Sequence, residues 1–217
     1  MLNRLPADER RAQLVESALT VAERGGIASV TIRAVAEEAG VSLGVVHYCF
    51  ENKEALLAAM GEVMVLQLSE SMRYAFGEAT SASDPQGIRG LRILIHSGLS
   101  AIWPVIESTP QRHLLTYELT LFALRNGGHP ESDIPNLAGA IATEQYRTMD
   151  EEARAFLDEC ARRAGVTWLE PLPAIARFSI ALLDGLVLRW LVDRNGDAML
   201  AQLDDMAGLI AAKAIEA

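Results

Sequence analysis

An all-α fold is what this sequence predicts, on three observations. Half of the 217 residues are apolar but only 6% are aromatic, and Ala and Leu, strong helix formers, dominate the rows. Apolar residues recur every three to four positions through most of the chain. Glycines and cap-type residues punctuate those stretches.

Leu14, Ala18 and Ala22, with Val15 and Leu19 beside them, give a first amphipathic helix from about Asp8 to Arg24, stopped by Gly25 and Gly26. Thr31 offers an N-cap hydroxyl, and Ile32, Val35, Ala36 and Ala39 form the inner face of a short second helix to about Glu38. Gly40 turns the chain. Ser42 is again an N-cap type, and Val46 and Phe50, four apart, mark the inside of a third helix of barely two turns. Asn52 caps a fourth helix, on which Leu56, Met60, Met64, Leu68, Met72 and Phe76 follow at four-residue spacing over roughly 35 Å.

The stretch "TSASDPQG" (80 to 87) reads as a polar loop. Ile88, Leu91, Ile95 and Ile102 then mark a fifth helix that should bend or stop before Pro104. A sixth helical region follows Pro110 and ends at "RNGGHPESDIP". Residues 136 to 164 are helical with a polar outer face, closed by Gly165, and Pro173 opens an almost wholly apolar helix to about Arg194. "RNGD" turns the chain into a last helix over 197 to 216. No internal repeat or heptad run is present.

Charge and cysteine content narrow the classes. The net charge is −10, from 19 basic and 29 acidic residues, so the molecule as a whole repels a phosphate backbone at long range. Residues 1 to 60 hold six basic residues (Arg4, Arg10, Arg11, Arg24, Arg33, Lys53) against eight acidic ones, near −2. Cys49 and Cys160 lack CxxC spacing and a nearby His pair, which argues against a disulfide framework and a zinc site and suits a reducing cytoplasm. The N-terminus has no signal-type apolar run, and "FSIALLDGLVLRWLV" is broken by Asp184 and Arg189, so no membrane span is expected. There is no GxSxG, HExxH or glycine-rich phosphate loop, so neither an enzyme nor a metal or other cofactor is expected.

Two short helices joined by "AGVS" form a helix-turn-helix pattern, in which the second helix enters the DNA major groove. Thr31, "VAEEAGVS", Gly44, Tyr48, Phe50 and "NKEALL", in that order behind a first helix and ahead of a longer acidic helical region, resemble the TetR family of transcriptional regulators. The match covers residues 10 to 60, and the remainder agrees in length and helix count.

That resemblance implies a division into a DNA-binding domain, residues 1–55, and a ligand-binding and dimerisation domain, residues 56–217. It implies that Thr31 and Ser42 cap their helices and bond phosphates, that His47 and Tyr48 meet the DNA backbone, and that Lys53 sets an ammonium at a phosphate. Leu43, Gly44 and Val45 would face the base edges, Gly44 for close approach and Val45 against a thymine methyl. Val46 and Phe50 would hold the motif from inside. Three positions depart from the family's habit: Leu43 where Lys is frequent, His47 where Tyr is frequent, and Cys49 where an aromatic or His is frequent. With fewer charged contacts, specificity would rest on shape and methyl groups, with Arg33 and Arg4, Arg10 or Arg11 supplying backbone charge.

Polar and aromatic side chains on apolar helix faces suggest a small-molecule effector site. His96 and Trp103 share a stripe of the fifth helix, and His113 and Tyr117 are four apart on the next, beside Glu118 and Phe122. An aromatic box with one carboxylate suits an aromatic or cationic organic ligand. Tyr146 and Arg177 are weaker candidates. The apolar faces of the last two helices, residues 173–216, point to a homodimer, which the resemblance extends to a palindromic operator. The expected activity is repression relieved by ligand, with Met60, Met64, Leu68 and Met72 transmitting a swing of the reading heads. Two alternatives stand beside it: an acidic helical binding module whose DNA head has lost function, and a small enzyme using His113 and Glu118 as acid and base.

Overall fold

The computed structural model describes residues 5–79, 85–126 and 137–216. Arg4, most of the polar stretch after α4 and most of the "RNGGHPESDIP" segment lie outside the described residues.

The elements run α1 (Ala7–Ser29), α2 (Ile32–Ala39), α3 (Leu43–Cys49), α4 (Lys53–Ala79), α5 (Gly87–Ser108), α6 (Pro110–Asn126), α7 (Leu137–Ala164), β1 (Val166–Trp168), α8 (Leu172–Asp193), α9 (Gly196–Ala211) and β2 (Ala214–Glu216). The chain is all-α apart from the short strand pair. It divides into two compact units, one drawn from residues 1–66 and 111–145, the other from 67–110 and 146–217.

In the first unit, Leu14, Ala18 and Leu19 of α1, Val35 of α2, Val46 of α3 with Phe50 just after it, Leu56 and Met60 of α4 and Leu115 of α6 are buried in one cluster. The periodicities of the four N-terminal helices therefore converge on a single core. Asn52 caps α4 as its sequence position suggests, its Oδ1 accepting the Ala55 N–H at 2.8 Å. Between Lys53 and Gly77, α4 is long and apolar enough to cross a membrane by length and composition, with mean hydropathy 1.2, but half of that window is buried inside the fold. Its 27 residues extend about 40 Å.

In the second unit, α5 packs along α9 and α8 packs against α9. Leu91, Ile95, Leu99 and Ile102 of α5 and Met199, Leu203, Met206 and Ile210 of α9 are buried. Phe76 stacks on Phe156 at 4.1 Å, and Trp103 meets Trp190 edge to face at 5.0 Å.

Three elements differ from expectation. α1 continues past Gly25 to Ser29, but Gly26 (φ 72°, ψ 175°) breaks its helical geometry, so the glycine pair bends the helix instead of ending it. α5 runs four residues beyond Pro104. Pro104 lies on the exposed side, where solvent can satisfy the carbonyl its missing N–H leaves open, while buried Trp103 and Ile106 anchor the last turn. α9 ends at Ala211, and the chain then returns as β2 to pair antiparallel with β1, Thr167 opposite Ile215. Three-residue strands are too short to show a period of two, so neither was visible in the sequence.

Candidate nucleic-acid interface

The α2–α3 pair turns at Gly40, which takes the left-handed conformation (φ 65°, ψ 33°) that ends α2 and lets its N–H and that of Val41 close onto α2 carbonyls. Thr31 Oγ1 accepts the Ala34 N–H at 3.0 Å and so fixes the start of α2. Val46 is fully buried, and Phe50 nearly so, beneath α3. That burial turns the opposite side of α3 outward: Leu43 is 49% and Tyr48 82% exposed, with Ser42, Gly44 and His47 exposed beside them. A Cβ on Gly44 would meet only Ser42 Oγ, at 3.9 Å, so the helix surface there is open to close approach.

Several expected roles are altered. Ser42 makes no side-chain cap; its carbonyl, not its hydroxyl, receives the Val45 N–H at 3.0 Å. Val45 is half-buried, at the flank of the exposed face rather than its centre. Arg33 is exposed but paired with Glu37 at 3.0 Å along α2. Lys53 is half-buried and donates to the Ile27 carbonyl at 3.3 Å, tying the start of α4 to the end of α1. Arg24 is likewise paired, with Glu38. Two of the region's cations are thus shared with carboxylates of α2, and a third is spent partly on the backbone.

Arg11 has a role the sequence did not suggest. Its guanidinium lies 4.4 Å from the centre of the Phe50 ring and donates to the Cys49 carbonyl at 3.4 Å, so a cation sits at the C-terminal end of α3, where the helix dipole favours it.

The six side chains expected around an effector fall in both units. His113, Tyr117, Glu118 and Phe122 lie on α6 in the first; His96 and Trp103 lie on α5 in the second. His96 Nε2 is 3.4 Å from Ser100 Oγ. Trp103 is buried against Trp190 and serves as core. His113 is half-buried, and burial pushes its pKa down to about 4, so it is neutral near pH 7. Glu118 Oε2 accepts the Ile27 backbone N–H at 2.7 Å, which ties α6 to the end of α1. One helical turn and a half earlier, Arg112 pairs with Glu23 of α1 at 2.7 Å.

A cavity does exist in the first unit, between α4, α6 and the start of α7. Its walls include Leu57, Gly61, Met64, Phe122, Ile141 and Gln145, and its free volume is about 20 Å³, room for about one water molecule. Of the six expected residues it includes Phe122. The sequence carried one signal for it: Gly61 interrupts an Ala- and Leu-rich helix, and such a glycine often marks close approach of a neighbour. A Cβ there would stand 2.5 Å from Ile141 Cγ2. In the second unit, Tyr146 hydrogen-bonds Asp184, and burial followed by that carboxylate pushes its pKa up to about 12; Arg177 sits near Asp150 and lowers a pKa that burial raises. Among the described residues no group of three or more His, Cys, Asp or Glu is placed to hold a metal.

Residues 14–60 match the family model for bacterial regulatory proteins of the tetR family. A nicotine-responsive helix-turn-helix transcriptional repressor of Paenarthrobacter nicotinovorans is 27% identical over 190 residues, covering 88% of each chain. The regulator BetI of Vibrio atlanticus is 35% identical over 65 residues, 30% of this chain and 32% of its own length. Among solved structures, a transcriptional regulator from Rhodococcus superposes with a TM-score of 0.69 at 20% identity, covering 94% of this chain and 97% of its own. The regulator FadR of Bacillus subtilis, in complex with stearoyl-CoA, superposes with a TM-score of 0.63 at 16% identity, covering 93% and 98%. These relatives are regulators, not enzymes.

Proposed function

We propose that this chain, a DNA-binding transcriptional regulator of the tetR family, is a repressor that binds a palindromic operator as a homodimer and releases it when a small organic molecule binds. The observation that carries the reading is the exposed side of α3, where Leu43, Gly44, His47 and Tyr48 stand outward over a buried Val46. Residues 1–55 are the reading head and 56–217 the ligand-binding and dimerisation region.

In this reading Tyr48, His47, Ser42 and Thr31 bond phosphates, while Leu43 and Gly44 approach the base edges with Val45 at their flank. The Ser42 hydroxyl is free of any capping bond and suits a phosphate. Arg33 reaches the backbone by exchanging Glu37 for a phosphate. Lys53 acts mainly by fixing α4 to α1.

Dimerisation is supported by α8. Phe178, Ala181, Leu188 and Val192 are exposed on one side of it, three, seven and four residues apart, and Val192 is 79% exposed. Such an apolar strip suits a two-fold partner, and two recognition helices then suit a two-fold operator. Response to a small molecule is supported by the nicotine-responsive relative and by the FadR complex. The mechanism is a population shift: ligand favours a conformer whose heads no longer match successive major grooves. The protein works where its operator is, in the cytoplasm.

Selection of genomic fragments by the purified protein at low salt tests this directly, with Tyr48→Phe and Gly44→Leu alongside. Recovery of one palindromic sequence, weakened by both substitutions, is the expected result. No enrichment returns the chain to an acidic helical binding module with an inactive head.

A further inference from the structure

Five of the six basic residues in the first sixty lie among the described residues, and each is engaged within the first unit: Arg10 with Gln13, Arg11 with Phe50 and the Cys49 carbonyl, Arg24 with Glu38, Arg33 with Glu37, and Lys53 with the Ile27 carbonyl. Two of these engagements converge on the reading helices. The last carbonyls of a helix have no following turn to bond them. At the end of α2, Gln13 Nε2 donates to the Ala39 carbonyl at 3.4 Å; at the end of α3, Arg11 Nη1 donates to the Cys49 carbonyl at 3.4 Å. α1 therefore reaches the C-terminal end of both helices of the pair.

We infer that Arg11 and Gln13 are positioning residues for DNA recognition: they fasten the far ends of α3 and α2 to α1 and so set the angle at which α3 meets the major groove, with the Arg11 cation used on the protein rather than on a phosphate. The inference rests on the reading of α3 as the recognition helix. The turn at Gly40 fixes where α3 begins, but a helix of seven residues, about 10 Å long, holds its direction only if its other end is tied too. With 3.6 residues per turn, Arg11 stands about 60° to one side of buried Leu14 and Gln13 about 100° to the other. The two ties thus flank the contact by which α1 enters the core.

Each bond is long for one between an N–H and a carbonyl, and each donor is steadied by a second contact. Beneath Arg11 lies the ring of buried Phe50, its centre 4.4 Å from the guanidinium, so the cation rests on an aromatic face at the negative end of the α3 dipole. Gln13 is oriented by Arg10, whose Nη1 donates to Gln13 Oε1 at 2.6 Å. Arginine only donates, so it fixes which end of the amide faces it and turns the amide nitrogen toward Ala39. Arg11→Lys keeps the charge but loses the planar group that serves ring and carbonyl together.

The full-length wild type, Arg11→Lys, Arg11→Gln and Gln13→Leu are compared for binding to the fragment recovered by selection and to a duplex of unrelated sequence, over a range of salt. All three variants are expected to lose about fivefold in affinity for the recovered fragment while binding the unrelated duplex as the wild type does. Arg11→Lys is expected to do no better than Arg11→Gln. Hydrogen exchange is expected to quicken about fivefold at the Phe50 amide in both Arg11 variants and at the Val41 amide in Gln13→Leu, with Leu19 unchanged, because the Phe50 N–H closes α3 on Val46 and the Val41 N–H closes α2 on Ala36. Wild-type affinity in Arg11→Lys, with a salt slope lowered by about one unit in Arg11→Gln, makes Arg11 a phosphate contact and overturns the inference; so does full affinity in all three variants. A wild type that selects no fragment removes the reading of α3 and with it the DNA role. Quickened exchange at Phe50 and Val41 then leaves the ties as architecture alone, and unchanged exchange removes them as well.

Discussion

The carboxylate of Glu118 accepts the backbone N–H of Ile27 at 2.7 Å, while the ammonium of Lys53 donates to the carbonyl of the same residue at 3.3 Å. Both ends of one residue just beyond the bend in α1 are thus held, from α6 and from α4. Gly26 makes this possible: a Cβ there would sit 2.9 Å from Glu118 Oε2, and its φ of 72° suits glycine. A bond to a charged acceptor in a half-buried setting contributes on the order of 1 to 2 kcal/mol. Glu118→Ala is expected to lower stability by about that amount and to speed hydrogen exchange at the Ile27 amide well beyond the change at Leu14 or Leu19. Equal acceleration at all three amides would mean that Glu118 acts on global stability rather than locally.

The pairing of Arg33 with Glu37 along α2 predicts a gain from removing an acid. In Glu37→Gln, Arg33 is released to a phosphate at the cost of an exposed pair that contributes about 0.5 kcal/mol or less. Affinity for selected DNA should rise, and the slope of log affinity against log salt should steepen by up to about one unit. An unchanged slope would place Arg33 off the DNA path.

Acid sensitivity follows from His113. Burial lowers its pKa from 6.5 to about 4, so the unfolded chain binds the proton more readily than the folded one. The associated stability is present in full above pH 6.5 and falls away as pH drops toward 4, by up to about 3 kcal/mol. Urea unfolding of His113→Gln across that range should show a shallower acid limb than the wild type, and parallel limbs would refute the assignment.

On α8, Leu188 and Val192 are 49% and 79% exposed. A Glu at either position puts a charge into the proposed two-fold contact. Leu188→Glu is expected to leave the thermal stability of the isolated chain within about 0.5 kcal/mol of wild type while shifting sedimentation from dimer to monomer. A wild-type protein that already sediments as a monomer removes this interface.

Cys160 is fully buried, and burial pushes its thiol pKa up to about 12. It should stay unreactive toward a thiol reagent until the second unit unfolds. Prompt labelling of both cysteines in native buffer would contradict its placement.

The head was legible because local rules agree there: Thr31 caps α2, Gly40 supplies the left-handed turn, and Val46 and Phe50 fall on one buried side. The effector residues were less so. Spacing along α6 shows that His113, Tyr117 and Glu118 are neighbours, but not that Glu118 reaches a residue 91 positions earlier. Gln145 is one polar residue among many on α7, and only packing shows that it is buried. Arg11 reads as one more exposed cation until Phe50 is placed beneath it. Such pairings depend on tertiary contact, which no periodicity encodes.

The strand pair β1–β2 has a consequence in time. It joins Val166 to Glu216 across the whole of α8 and α9, so the entropy of closing a long loop is met before its few hydrogen bonds contribute. The α1–α3 contacts of the head, by contrast, close over short stretches of chain. During synthesis the DNA-reading motif can therefore take shape early, whereas the ring that ties the ends of α8 and α9 together waits until Glu216 has been made. A chain cut short before β2 would carry a formed head on an unfastened α8–α9 pair.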